Sequence, residues 1–247
     1  MTRADVAPGR HETPPRAPRA RLREQPRFPT WAAKLVMSLT GLVFTAFVVV
    51  HMVGNLKVYT GAEHFDAYAH WLRSLLEPLF PHEGVLWTLR VVLVLALLAH
   101  VGCALLLVRR ARVSAGPDKT RGRGGASALA ARFMLPTGVL LLFFVVVHVL
   151  DLTTGTRPVS TDGFAAGSAY ANLVASFSRP WMALVYGFTM LALAAHVAHG
   201  VLLAVQDLGG TNATLRRVAA AVGGVLALAL LLGNASIPLA VQAGWVS

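Results

Sequence analysis

The stretch Trp31–Leu56, WAAKLVMSLTGLVFTAFVVVHMVGNL, decides the fold. Lys34 and His51 are its only ionisable residues, and at 1.5 Å per residue a run of this length crosses a hydrocarbon core of about 30 Å. Four further apolar blocks follow, at about Leu86–Val108, Phe133–Leu152, Trp181–Val205 and Val218–Val241. Trp31, Trp87, Trp181 and Trp245 stand at the ends of these blocks, where an amphipathic ring prefers the headgroup layer. The whole chain agrees with its parts. Of 247 residues 55% are hydrophobic and 13% charged, against roughly a quarter charged in a soluble domain, and the mean hydropathy is +0.61. The expected fold class is therefore all-α, an integral membrane bundle of five transmembrane helices over residues 31–247. Residues 1–30 are rich in Arg and Pro and poor in aliphatic side chains, which predicts a disordered tail and not a signal peptide. The single cysteine, Cys103, lies inside an apolar block, so no disulfide framework or CxxC pair is available.

A formal charge of +11 in a soluble chain would suggest nucleic acid; in a membrane protein it is a topology signal, because loops rich in Lys and Arg stay cytoplasmic. The tail through Lys34 holds eight basic residues, the second loop seven and the fourth two, 17 of the 22 in all. The N-terminus is expected in the cytoplasm, the C-terminus outside, and nucleic acid is not an expected partner. Between the first two spans, EHFDAYAHWLRSLLEPLF (63–80) carries apolar residues at helical spacing and predicts an amphipathic helix on the outer surface. GPDKTRGRGG (116–125) reads as a flexible basic cytoplasmic linker.

The first four spans each contain histidine: His51, His100, His148, and the pair His196 and His199. One intramembrane histidine is as often a helix-to-helix hydrogen bond as a ligand; four on four helices favour ligation. Counted from alternating faces, His51 and His148 fall near the outer side, and His100 and His196 in the inner half. Each pair joins non-consecutive helices, as opposed helices of a bundle present imidazoles to two faces of one haem. Zinc would need a third or fourth ligand at one depth. A proton relay would need carboxylates among the histidines. His196 matches His100 in depth better than His199 does, and the intervals His51 to His100 and His148 to His196 are nearly equal, a hint of a duplicated helix pair. His199 is left with a propionate contact or an ordinary interhelical hydrogen bond. The small residues Ser38–Gly41, Gly102 and Gly200 would admit a haem edge or simply pack helices. Lys34, Arg90, Arg132 and Arg179 stand at membrane edges, where they pair with propionates or snorkel to headgroups.

The runs KLVMSLTGLVFTAFVVVHMVGNLKVYTG, FDAYAHWLR, LWTLRVVLVLALLAHVGCALLL, FVVVHVLDL and AAHVAHGVLLAVQDLG closely resemble the five-helix, two-haem cytochrome b subunit of succinate dehydrogenase and the related fumarate reductases, over about residues 31–243. The resemblance implies a multi-pass subunit of the bacterial cytoplasmic membrane. It anchors a flavoprotein and an iron-sulfur protein on the inner face, carries two haem b groups, and exchanges electrons with a quinone, typically menaquinone. Such a subunit has no catalytic residue of its own for the dicarboxylate. By the same resemblance, His100 and His196 ligate the haem nearer the iron-sulfur partner, His51 and His148 the farther one, and Ser38 lies near the inner propionates. The first histidine of the fourth-span motif is the family's ligand, which favours His196. One branch carries a glutamate two residues before that ligand; here the position is Ala194. Quinone contacts are placed at His70 and Glu77 in the outer amphipathic segment. The rival readings are the cytochrome b subunit of a hydrogenase or formate dehydrogenase, which H-M-V-G-N-L (51–56) speaks against, and a haem-free anchor or transporter. Spans without carboxylates or Pro-interrupted helices speak against transport. Direction of turnover, a higher oligomer and the proton path are left open.

Overall fold

The computed structural model describes residues 28–114 and 126–247, with the side chains of 126–131 excepted. The expected tail, apart from its last residues, and the expected 116–125 linker lie outside the described residues. Among those described, the chain is helical without strands: α1 Thr30–Asn55, α2 Ala62–Arg73, α3 Gly84–Ser114, α4 Ala126–His148, α5 Ala169–Phe177, α6 Pro180–Asp207 and α7 Ala213–Gln242. Five segments are long and apolar enough to cross a membrane: Thr30–Thr60, Gly84–Ser114, Arg132–Thr153, Pro180–Asp207 and Ala213–Gln242. Each contains one of the five blocks read from the sequence. Leu95, Leu98 and Leu105 of α3, like Phe143 and Val146 of α4, are exposed. Apolar surface of that extent suits lipid and not water.

Local chemistry sets the ends. Pro180 sits in the first turn of α6, where its missing N–H costs nothing. Asn212 caps α7 by accepting from the Leu215 N–H at 2.7 Å. A 3₁₀ turn, Leu56–Thr60, leads from α1 to α2, and Gly61 takes φ +96° at the junction, a conformation suited to glycine. At the end of α4 the winding loosens into a π-helical turn, Val149–Thr153. Pro136 and Pro238 lie inside α4 and α7. That corrects the expectation of spans free of internal proline, although both helices run through.

Helix α1 packs on α3, α6 and α7, and α6 packs on α1, α4, α5 and α7. The pairs α1 with α4 and α3 with α6 are not among the closely packed ones, so they stand as diagonals of a four-helix arrangement with α7 against α1 and α6. Gly223 of α7 lets its backbone close on α6: a Cβ there would come within 2.7 Å of the Ala198 carbonyl oxygen. The main apolar core (Val58, Phe65, Phe177, Met182, Tyr186, Ile237) gathers at one end of the bundle under α2 and α5. Asp66 of α2 accepts from the Tyr170 N–H of α5 at 2.9 Å, fixing the two short helices to each other. Lys34 and Asp207, 3.1 Å apart, join the start of α1 to the end of α6 at the opposite end.

Candidate haem-binding centre

The sequence contains a repeat that positions the histidines. T-G-x5-F-V-V-V-H occurs at Thr40–His51 in α1 and again at Thr137–His148 in α4, and A-L-x-A-H-V occurs at Ala96–Val101 in α3 and Ala192–Val197 in α6. The threonine and glycine of each first helix meet the histidine of the second. Gly41 faces His100 and Gly138 faces His196, and at both a Cβ would stand 3.3 Å from the ring Cε1. Thr40 Oγ1 lies 3.1 Å from His100 Nδ1, and Thr137 Oγ1 lies 3.1 Å from His196 Nδ1. His100 is therefore level with Gly41 and His196 with Gly138. In each helix the outer-pair histidine, His51 or His148, follows that glycine by ten residues, which is about 15 Å along the axis.

The other end of each repeat is a stacked pair. His51 lies on Phe47 with centroids 5.4 Å apart, and His148 lies on Phe144 at 5.7 Å. Across the α1–α4 diagonal the two imidazoles face each other with centroids 5.8 Å apart and planes at 84°.

Proton inventory fixes three of the four rings. Thr40 Oγ1 donates its proton to the Val36 carbonyl at 2.7 Å, and Thr137 Oγ1 donates to the Phe133 carbonyl at 2.6 Å. Each hydroxyl can then only accept from its histidine, so His100 and His196 carry the proton on Nδ1. The Met37 carbonyl, 3.0 Å from His100 Nδ1, requires the same. For His148 the partner is the Tyr186 hydroxyl at 3.2 Å, which is 3.1 Å from Asp151 Oδ2. A charge-assisted bond to a carboxylate outweighs one to a neutral imidazole, so Tyr186 donates to Asp151 and accepts from His148 Nδ1. All hydrogen bonds of these three rings among the described residues use Nδ1. Nε2 is left with an unprotonated lone pair, the state in which an imidazole ligates a metal. Although each imidazole lies within a span, His51 is exposed and the other three are half-buried.

Asp151 corrects the expectation of spans without carboxylates. It is 1% exposed and accepts from Ser176 Oγ at 2.5 Å, Arg179 Nη2 at 2.7 Å and the Tyr186 hydroxyl. Arg179 also donates to the Val159 carbonyl at 2.7 Å and lies over the Trp181 ring. The π-helical turn just beyond His148 carries Asp151, and such turns recur at functional sites.

The remaining candidates are scattered. Ser38 is buried on α1, Arg132 is exposed, and His199 is half-buried. Lys34 is held by Asp207. Arg90 pairs with Glu83 at 3.6 Å and lies over Trp87. Gly102 and Gly200 have open space beside them, so the glycines that adjoin imidazoles are Gly41 and Gly138. His70 is exposed, and Glu77 accepts from His82 Nδ1 at 3.0 Å. Neither lines the open groove of ≈ 660 Å³ between the end of α1 and α2, whose walls are Lys57, Thr60, His64, Ala67, Tyr68 and Trp71. Among the described residues, no group of three or more His, Cys, Asp or Glu could hold a metal ion. The sequence reading takes Thr40 only as one of the small residues of Ser38–Gly41 and does not single out Thr137, Gly138, Phe47, Phe144, Tyr186, Ser176 or Asp151; the T-G-x5-F-V-V-V-H repeat carries the signal for Thr40 and for the first four of these.

No curated protein and no solved structure matches the chain. The family model described as the succinate dehydrogenase/fumarate reductase transmembrane subunit matches residues 109–233, just over half of the chain and including His148, Asp151, Tyr186 and His196. With five helices fit to cross a membrane, the chain belongs to the succinate dehydrogenase/fumarate reductase transmembrane subunit family.

Proposed function

We propose that this chain is the two-haem cytochrome b subunit of a succinate:quinone oxidoreductase, joining a flavoprotein and an iron-sulfur protein to menaquinone in the bacterial cytoplasmic membrane. One observation carries the reading: on diagonal helices, at two levels, three of the four histidines (His100, His196 and His148) have Nδ1 engaged and Nε2 free. The residues fit the group. His51 and His148, on diagonal helices with ring centroids 5.8 Å apart, are the residues that would hold the group at one level. At the other level Gly41 and Gly138 keep side chains away from His100 and His196, so a flat ring meets backbone there.

When bound, haem supplies a one-electron ferric/ferrous couple at each level. The protein's own work is positional. Thr40, the Met37 carbonyl and Thr137 orient His100 and His196, and Phe47 and Phe144 hold the planes of His51 and His148. The levels are about 15 Å apart along α1 and α4, so together they span half of a ~30 Å core. The 17 basic residues of the tail and alternate loops orient the end opposite α2 and α5 toward the cytoplasm, where the iron-sulfur partner docks. We place the quinone headgroup in the groove on α2. Lys57, His64 and Tyr68 offer donors to its carbonyls, and Trp71 offers an apolar wall. Tyr68 packs on Gly54, one helical turn past His51.

The test is a reductive titration of the complex purified from membranes. Two low-spin b-type centres with bis-histidine spectra are expected, one lost in His51→Ala and the other in His100→Ala. Absence of any b-type α band from the intact complex would overturn the haem reading and leave an anchor of the same family.

A further inference from the structure

Tyr186 and Asp151 reach His148 in a way that has no counterpart at the other three histidines. The first step is the burial of Asp151: a carboxylate 1% exposed at the end of a span is retained only with charge and hydrogen-bond partners. Arg179 supplies the charge at 2.7 Å and Ser176 a hydroxyl at 2.5 Å. Both partners come from α5 and its junction with α6, so three elements meet on one carboxyl group. The second step is the Tyr186 hydroxyl: the side chain is 6% exposed and packs between Phe144 and Phe177, with ring centroids 4.9 Å and 4.8 Å from its own. It has one proton, and Asp151 takes it. What faces His148 Nδ1 is then an oxygen made electron-rich by its bond to a carboxylate.

We infer that Tyr186 is a positioning residue for His148, relaying its bond to the Asp151 carboxylate into a stronger acceptor for that one imidazole and so lowering the reduction potential of the centre His148 ligates. The inference rests on the haem reading above. A hydrogen bond from Nδ1–H to an electron-rich acceptor makes Nε2 a stronger donor, which favours ferric over ferrous iron. At the His100/His196 level the acceptors are two threonine hydroxyls and a carbonyl, all neutral. His51 has no hydrogen-bond partner among the described residues, so the effect enters through one ligand at one level.

The experiment is a redox titration, with low-temperature electron paramagnetic resonance, of the assembled complex carrying Tyr186→Phe or Asp151→Asn. Phenylalanine keeps the ring packed between Phe144 and Phe177 and removes the acceptor. Asparagine keeps the shape of Asp151 and removes the charge. In Tyr186→Phe we expect about a tenfold shift of the ferric/ferrous ratio toward ferrous at fixed ambient potential, an upward move of about 59 mV for one electron. It should fall on the centre that His51→Ala abolishes, with a changed g-tensor there, while the other centre is unmoved. Asp151→Asn should shift the same centre in the same direction by less. Both centres present with each within twofold of wild type in both variants would overturn the inference. Equal movement of both centres would also overturn it, by showing a general loosening. If Tyr186→Phe loses the centre altogether, Asp151→Asn decides: an upward shift confined to that centre supports the inference, and none refutes it. A wild-type complex without b-type centres would instead fail the haem reading itself.

Discussion

Removing Arg179 is the most informative perturbation of stability, because its partner cannot follow it into water. Arg179→Ala deletes the 2.7 Å bond to Asp151, the 3.1 Å bond to Ser176 Oγ and the 2.7 Å bond to the Val159 carbonyl, and leaves a carboxylate that is 1% exposed without its cation. Breaking a buried pair from one side costs about 3–5 kcal/mol, far above the ~0–1 kcal/mol of an exposed pair. Arg179 itself is about one-fifth exposed, so the lower half of that range is the working figure, roughly 3 kcal/mol. Asp151→Leu with Arg179→Met should recover most of the loss, since an apolar pair of similar volume replaces a buried ion pair at little cost. The assay is unfolding of the purified complex in mixed micelles by increasing SDS, followed by tryptophan fluorescence. The reasoning is refuted if Arg179→Ala lies within about 1 kcal/mol of wild type, or if the double variant is no better than the single one.

Three further outcomes follow from the same contacts. Lys34→Ala, which breaks a half-exposed pair with Asp207, should change stability by less than about 1 kcal/mol in the same SDS titration; a larger loss would give Lys34 a role beyond the ion pair. Thr40→Val and Thr137→Val, which each remove one Nδ1 acceptor, should lower haem retention at the His100/His196 level by about tenfold and leave the other level intact by visible spectroscopy. In a comparison of His196→Ala with His199→Ala, only the first should abolish the bis-histidine spectrum of that level; the opposite result would reassign the ligand.

Spans and histidines were legible in the sequence for one reason: both are one-dimensional signals. A run of apolar residues reports its own length against the bilayer, and the position of His51 or His148 within a run reports its depth. α2 was legible from apolar spacing in 63–80, although the helix stops at Arg73 and 74–80 run on as turns toward α3. α5 was not, because nine mostly apolar residues ahead of Pro180 look like a continuation of the loop into the fourth span. Asp151 was not legible as a buried group, since its burial depends on Arg179, 28 residues away, and on a π-helical turn that no residue pattern announces. The threonines were hidden for a different reason. A Thr that bonds its own helix carbonyl is ordinary in a membrane span, and only the tertiary contact shows that the spare lone pair is aimed at a histidine.

The repeat explains why the two levels differ. Its halves are 97 residues apart in the first helices and 96 in the second, and each diagonal pair takes one histidine from each half. Where both halves kept the motif, at Thr40 and Thr137, the two rings are held alike. At the other level the halves have diverged: the position equivalent to Tyr186 is Arg90, and that equivalent to Asp151 is Gly54. A guanidinium has no acceptor for Nδ1–H, and Arg90 is turned to Glu83 and Trp87, so His51 cannot be bound as His148 is. Gly54 instead makes room for Tyr68, whose hydroxyl a Cβ would approach to 2.8 Å, and Tyr68 is a wall of the groove on α2. One half of the repeat has thus used these two positions to build a charged anchor behind His148, and the other has used one of them to admit a side chain of the surface groove. The asymmetry lies on a single level, which is why a substitution in either half should move one redox centre and not both.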